Sequence, residues 1–366
     1  MKTGLVWDER YMWWDTRHGG AFMPAGGWVE PGEHAENPST KRRFKNLIDV
    51  SGMGDVLVPL KPRMATVAEV ERYHTPEYVA RMKELSDAGG GDAGELTPFG
   101  GGGFETALLA VGGTLTAIEK TLDGSVETAY ALVRPPGHHA QKDIGRGFCM
   151  FSNAALGAMH ARQALGLDRV AVVDWDVHHG NGTQWAFYDD PTVLAISLHQ
   201  DRYYPTDSGM VEENGEGAGV GANINVPLPA GSGVGAYISA FERVVCPALE
   251  RFKPQLLIIA SGLDASALDP LARQQMHSDG YRNLTRQLMD VTASVGGKFM
   301  LTHEGGYSAA YVPFCGLAIL EEVTGHRTPV EDPYLPVFEG IGGQDLQPHQ
   351  AAVIDQAAAL VERVPA

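Results

Sequence analysis

Asp174, Asp176 and His178 stand at i, i+2 and i+4, running on from the apolar stretch Val170–Val173. In an extended chain these three side chains share one side. Two carboxylates and an imidazole held together repel or lose solvation unless a cation sits among them. An Asp-x-Asp alone is explained as well by a polar strand end whose carboxylates cap backbone groups. His178, and Asp264 arriving after a separate apolar run at Leu256–Ala260, shift the reading to a metal site. The donors are oxygen and nitrogen with no thiolate, which excludes a cysteine-type structural zinc site. One histidine and two aspartates leave coordination positions open, as catalysis requires. Zn²⁺ is the first choice, and Fe²⁺, Co²⁺ or Mn²⁺ suit the same donors.

The pair His138-His139 follows the rigid turn Arg134-Pro135-Pro136-Gly137. A lone histidine is more often a satisfied structural group. Two adjacent ones on a strand-end loop facing a metal site point to proton transfer, because imidazole titrates near neutral pH. Such a ring takes a proton from water and passes it to a leaving amine. Asp174 and Asn181 are candidates to orient these rings. The neutral Asn181 would orient a ring without raising its pKa. Tyr307 follows Gly305-Gly306, and glycine lets backbone approach a ligand closely. Its hydroxyl can donate to a developing oxyanion, although Gly-Gly-Tyr by itself is a plain turn.

These groups need a scaffold that brings distant segments together. Short, nearly continuous apolar runs at Gly4–Trp7, Ala129–Val133, Val170–Val173, Val193–Ser197, Leu256–Ala260 and Phe299–Thr302 predict strands buried on both faces. Helical patterns occupy Phe104–Thr121, Asn153–Ala164, Ala236–Arg251, Asp279–Ser294, Ala309–Val323 and Ala351–Val361. The alternation predicts an α/β fold, a mostly parallel sheet with helices on both faces. In such sheets ligands gather beyond the carboxyl ends of the strands. Each candidate group lies just there. His138-His139 follows one strand, Asp174 to Asn181 the next, Ser197-Leu198-His199 a third, Asp264 a fourth, and Tyr307 a fifth.

The chain has 366 residues, which suits one large α/β domain. The expected organisation is a single domain over 1–366, with a loop-rich N-terminal elaboration over 20–100 and a C-terminal extension over 328–366. With 28 Lys+Arg against 45 Asp+Glu, the net charge of −17 argues against nucleic acid as the main partner. Cys149, Cys246 and Cys315 are odd in number and form no CxxC pair, so neither disulfides nor a cysteine metal site is expected. Residues 1–15 lack the apolar core of a signal peptide, and no run of about 18 apolar residues exists to span a membrane. A cytoplasmic protein is expected.

Together the segments Arg134-Pro135-Pro136-Gly137-His138-His139, Gly147-Phe148-Cys149, Asp174 to Thr183, Ser197-Leu198-His199, Gly262-Leu263-Asp264-Ala265 and Glu304-Gly305-Gly306-Tyr307 resemble the histone deacetylase-like amidohydrolases. The match runs in order over roughly residues 1–325. His-His-Gly-Asn at 178–181 and the stretch Pro38 to Phe44 look like bacterial class II members. The resemblance implies an arginase/deacetylase-type fold and a Zn²⁺ held by Asp176, His178 and Asp264. It implies His138 and His139 as the proton-transfer pair, with His139 as general base and acid, and Tyr307 as the donor that polarises the carbonyl. Some class II members carry His in place of this Tyr and are poor deacetylases. It further implies K⁺ beside the zinc site, at Asp174, Asp176, His178, Ser197 and Leu198, and a second K⁺ near Phe187, Asp190 and Val193. Gly147, Phe148 and Tyr204 would flank a narrow substrate channel with Leu271 on its rim. Polyamine-selective relatives place an acid at that rim, so Leu271 weighs against a polyamine specialist unless Asp92 or Glu95 supplies the charge.

The expected activity is therefore metal-dependent deacetylation of an amine such as acetyl-lysine, in a peptide or a small molecule, with an acetylpolyamine or other small amide as the alternative. An arginase-like two-manganese enzyme is disfavoured, because Ser-Gly-Leu-Asp-Ala-Ser around Asp264 offers too few ligands for a second ion. A binding protein without turnover is disfavoured by the intact His138, His139 and Tyr307. Homo-oligomer contacts through 89–103 or 328–366 are conceivable from sequence.

Overall fold

The aliphatic runs become strands because each can bury both of its faces. A computed structural model describes residues 1–366. Its centre is an eight-stranded sheet formed by β1 (Thr3–Val6), β2 (Val58–Leu60), β3 (Thr128–Ala131), β4 (Val170–Asp174), β5 (Val193–Gln200), β6 (Asn223–Leu228), β7 (Leu256–Ser261) and β8 (Lys298–His303). The order is β6-β5-β4-β7-β8-β3-β1-β2, and every pairing is parallel. This is the α/β architecture expected from the alternating pattern.

Successive side chains along a strand point to opposite faces, and two separate cores follow. Ala171, Val173, Leu257 and Ile259 pack with Phe44 and Ile48 of α1 (Ser39–Val50), Leu284 and Leu288 of α4 (Ser278–Ser294), and Ile319 and Leu320 of α5 (Val312–Thr324). Val170, Val172, Leu256 and Ile258 pack on the other side. They meet Leu109, Ala110 and Ile118 of α2 (Gly103–Leu122), and Ala154, Ala155 and Ala158 of α3 (Asn153–Gln163). Truncating any one of these large aliphatic residues to Ala would cost about 2–5 kcal/mol.

Chain direction across the sheet reverses between β4 and β7. From β4 the chain moves outward through β5 and β6, then returns to β7 on the other side of β4 and continues to β8. A crevice opens beyond the carboxyl ends at such a switch point. Asp176 and His178 follow β4, and Asp264 follows β7, so the fold itself brings these three residues to the crevice. In register, Asp174 pairs with Ser197 of β5 and with Ala260 of β7, and Ser261 pairs with His303 of β8.

Several elements differ from expectation. β2 and β6 are the two edges of the sheet, and both contain proline, Pro59 and Pro227, which an edge tolerates. Asn223 and Asn225 further disguise β6 as a loop. Residues 20–100 hold more regular structure than loops, including α1 and a helix over Pro76–Asp87. Lys41, Arg42, Arg43 and Lys45 mask the apolar stripe of α1 in the sequence. The helix expected over Ala236–Arg251 is observed as Val234–Ala240 and Cys246–Phe252 joined by a π turn over Phe241–Val245. Pro247 has no N–H to give to the preceding turn, and the widened turn absorbs that loss. The C-terminal stretch folds back through a helix at Pro348–Ala358, whose Ile354 and Ala357 join the first core. No helix is long and apolar enough to cross a membrane.

Candidate active site

β4 ends at Asp174, and the chain then bends, with Asp174 Oδ1 accepting from Asp176 N–H (3.0 Å) and Asp176 Oδ1 from His178 N–H (2.9 Å), which turns Asp176 and His178 toward Asp264 of the β7 loop. His178 Nδ1 lies 3.1 Å from Asp176 Oδ1 and 3.1 Å from Asp264 Oδ2. All three side chains are buried, and their ligand atoms lie within 4.8 Å of one another. The remaining carboxylate lone pairs are met by main chain. Asp176 Oδ2 accepts from Gly305 N–H (2.8 Å) and Asp264 Oδ1 from Val177 N–H (2.8 Å). A Cβ on Gly305 or Gly262 would collide with these carboxylates, so the backbone forms a cradle that only glycine permits. Burial, then the charge of Asp176, pushes Asp264 up to about 6. Two buried acids that repel each other, completed by one imidazole nitrogen, are the donor set of a small divalent cation.

The adjacent histidines occupy different environments. His138 Nδ1 lies 2.8 Å from Asp174 Oδ2, and its Nε2 lies 3.8 Å from Asp176 Oδ1. Burial works to lower the His138 imidazole, but Asp176 and Asp174 outweigh it and lift it to about 10. His139 Nδ1 lies 2.8 Å from Asn181 Oδ1. An amide oxygen only accepts, so Nδ1 carries the hydrogen and Nε2 keeps its lone pair. Burial, with His138 and His178 beside it, holds His139 well below its ordinary value. The neighbouring acids thus favour charge on one ring while burial opposes it on the other, with centroids 3.9 Å apart.

A cavity of about 250 Å³ descends to these groups. His139, His178 and Tyr307 lie along it, and Gly147, Phe148, Tyr204, Leu271, Leu96, Tyr203 and Phe22 complete its lining. The Tyr204 ring stands edge-on to His139 at 4.9 Å, and Phe148 stands edge-on to Tyr307 at 5.7 Å. Phe148 has a left-handed backbone (φ 72°) and is backed by the His34 ring at 4.9 Å. A positive φ at a bulky residue is strained. Here the strain sets an aromatic wall against the tyrosine.

A model of the histone deacetylase domain matches residues 34–323. The chain belongs to the histone deacetylase family. It is 46% identical over 342 residues to the histone deacetylase-like amidohydrolase of Pseudomonas aeruginosa, covering 92% of this chain and 90% of that one. It is 37% identical over 349 residues to a probable deacetylase of Archaeoglobus fulgidus, covering 92% and 91%. The crystal structure of the HDA15 HD domain superposes with a TM-score of 0.86 at 30% identity, covering 99% of this chain and 96% of that one. The protein is a metal-dependent deacetylase or amidohydrolase of this family, and the buried Asp176-His178-Asp264 cluster is its metal site.

The other expected residues of this deacetylase fall into four groups. Asp174 and Asn181 each hold one histidine of the pair. Asp174 and Ser197 are buried register partners, and Leu198 is the next residue of β5. Phe187 and Asp190 share a turn in which Asp190 N–H donates to the Phe187 carbonyl (3.0 Å), Val193 opens β5 three residues on, and the Asp190 carboxylate is taken by Arg162 (3.1 Å). Glu95 reaches the channel wall and is engaged there, accepting from Tyr204 Oη (3.2 Å) and from Arg146 Nε (2.9 Å).

Sequence reasoning gave no role to Glu304. Its Oε2 accepts from the N–H groups of Gly137 (2.6 Å) and His138 (3.1 Å), which fixes the turn carrying both histidines. Burial pushes this carboxyl up to about 7. It also missed Leu96 and Tyr203 in the channel. Glu304 was visible only as part of the segment Glu304-Gly305-Gly306-Tyr307, without a role of its own.

Proposed function

We propose that this deacetylase uses Zn²⁺ at Asp176, His178 and Asp264 to hydrolyse the amide of an acetylated primary amine of the acetyl-lysine type. The observation that carries this is the convergence of that cluster with neutral His139 and with Tyr307 at one end of a narrow, largely apolar channel. Bound there, Zn²⁺ would supply Lewis-acid polarisation of the acyl carbonyl and a lower pKa for the attacking water. The apolar walls admit an extended aliphatic stem and exclude bulk water around the amide. His139, with its free Nε2, takes the proton of the attacking water. Its charge is then returned as a proton to the departing amine nitrogen. His138, held cationic against Asp174, offsets negative charge as it develops. Tyr307 donates to the oxygen of the tetrahedral centre, and acetate and the free amine leave.

An acetyl-lysine stem suits the rim better than a polyamine. Leu271 gives the rim no charge, and Glu95 is already spent on Arg146 and Tyr204. For K⁺, we place one ion by Asp174, Ser197 and Leu198, where a buried carboxylate lies against Asp176. The second rests on main-chain oxygens of Phe187, Asp190 and Val193. We read the whole chain as one catalytic unit working in the cytoplasm. The deciding experiment measures acetate released from an acetyl-lysine peptide and from acetylated diamines. The expected result is a higher kcat/KM for the peptide, loss of turnover with a chelator, and recovery with Zn²⁺. Tyr307→Phe should lower kcat about 10²–10³-fold with KM little changed. Peptide binding without turnover, or an unchanged kcat in Tyr307→Phe, would overturn the reading.

A further inference from the structure

The tyrosine just described hangs on a segment with little stiffness of its own. Gly305 and Gly306 precede it, and Gly306 has φ +123°, a conformation that only glycine adopts freely. Something outside the segment must therefore fix where Tyr307 begins. The group that does so is Asp269, five residues beyond the metal ligand Asp264 and buried at 8% exposure. Its Oδ2 accepts from Tyr307 N–H at 2.7 Å. Its Oδ1 accepts from Leu271 N–H at 2.8 Å. Leu271 lines the channel, and its carbonyl is 3.2 Å from Nε2 of the metal ligand His178. One carboxylate therefore ties together two loops that lie far apart in sequence, the rim loop after β7 and the glycine hinge after β8.

We propose that Asp269 is a positioning residue that sets the reach of Tyr307 toward the reacting carbonyl, an inference that rests on the tyrosine role given above. The two oxygens serve different donors, so the geometry needs both. Asparagine keeps the shape but has one acceptor, and whichever way it turns its NH₂ faces an N–H donor. A small displacement of a group that acts in the transition state lowers turnover far more than substrate binding.

The test is a double-mutant cycle of Asp269→Asn with Tyr307→Phe in the zinc-loaded enzyme. In the parent background Asp269→Asn is expected to lower kcat about 10–100-fold, the range for outer-shell partners, and to change KM less than about threefold. In the Tyr307→Phe background the same substitution is expected to cost less than about threefold, because the hydroxyl it positions is gone. Equal losses in both backgrounds, or none in the parent, would overturn the proposal. If Tyr307→Phe proves fully active, it is the tyrosine's own role that fails, a different outcome visible in a different arm. Should Asp269→Asn not fold, Asp269→Ser, which removes both carboxylate acceptors, replaces it in the cycle. Failure of both to fold would make Asp269 a stability residue and reject the proposal.

Discussion

Two buried charge clusters lie in this molecule, and they are built on opposite rules. Beneath the N-terminal segment, Glu36 accepts from Arg134 Nε (2.8 Å) and Lys41 Nζ (3.2 Å), and the side chains of all three are fully buried. Arg134 also donates to the carbonyls of Trp14 (2.7 Å) and Tyr11 (3.2 Å). Burial works to raise Glu36, but Arg134 and then Lys41 overcome it and hold the carboxyl below its ordinary range. At the strand tips, Asp174, Asp176, Asp264 and Glu304 crowd together with only the imidazoles for company. Burial pushes Asp174, Asp264 and Glu304 upward. In the first cluster one acid is held by two buried cations, Arg134 and Lys41, and the group holds its parts in place. The second is left short of positive charge, and a cation is what completes it. A buried acid without a matching base is thus the better marker of function, and one with its base a marker of architecture.

Removing one acid from each cluster should separate these rules. The largest effect is expected at Asp264→Asn. Activity should fall by more than the ~10–100-fold that losing an outer-shell partner costs, with zinc content dropping in parallel. The same substitution should raise the urea stability of the metal-free protein by roughly 1–3 kcal/mol, because it relieves repulsion from Asp176. A metal-free variant less stable than its parent would break the comparison. Glu36→Gln should act in the opposite sense and destabilise the protein by about 3–5 kcal/mol in denaturant titrations, since Arg134 and Lys41 stay buried without their counter-charge. The enzyme that remains folded should still bind zinc.

The pH dependence should differ in sign as well. Glu36 sits below its ordinary 4.5 in the folded chain, so its contribution is complete above that pH and is lost as pH falls through the folded value. Glu304 is pushed up to about 7, so the folded state prefers its protonated form, and its cost grows as pH rises from 4.5 through about 7. Glu304→Gln keeps an oxygen for both the Gly137 and His138 N–H groups. Its stability relative to the parent should therefore improve across that window, whereas that of Glu36→Gln should worsen as pH rises into it from below. Parallel difference curves between pH 4 and 8 would refute the distinction. The smallest effect is expected at the surface. Trp28 is fully exposed, and Trp28→Ser should shift stability by no more than about 0.5 kcal/mol and leave kcat on a small substrate unchanged.

The catalytic rim was readable in the sequence because local spacing encodes it. An Asp-x-Asp-x-His just past an apolar run marks a strand tip that carries two of the three metal ligands, although a bend rather than the period of a strand aims them, and the central strands announce themselves by unbroken aliphatic residues. The matched cluster was not readable. Glu36 and Arg134 are 98 residues apart, and neither position carries a pattern that points to the other. Asp269 and Glu304 were hidden for a similar reason. Their partners are backbone N–H groups of distant loops, and a backbone group has no letter in the sequence. The edge strands β2 and β6 were lost to their prolines, and α1 to the charges on its outer side.

The order of the strands has a consequence for synthesis. The ribosome releases Asp176 and His178 long before Asp264, and Tyr307 last of all, so a growing chain holds no complete centre until β7 and β8 have emerged and docked beside β4. Translation that stalls within the first 260 residues therefore yields a polypeptide that lacks Asp264 and with it a complete metal cluster.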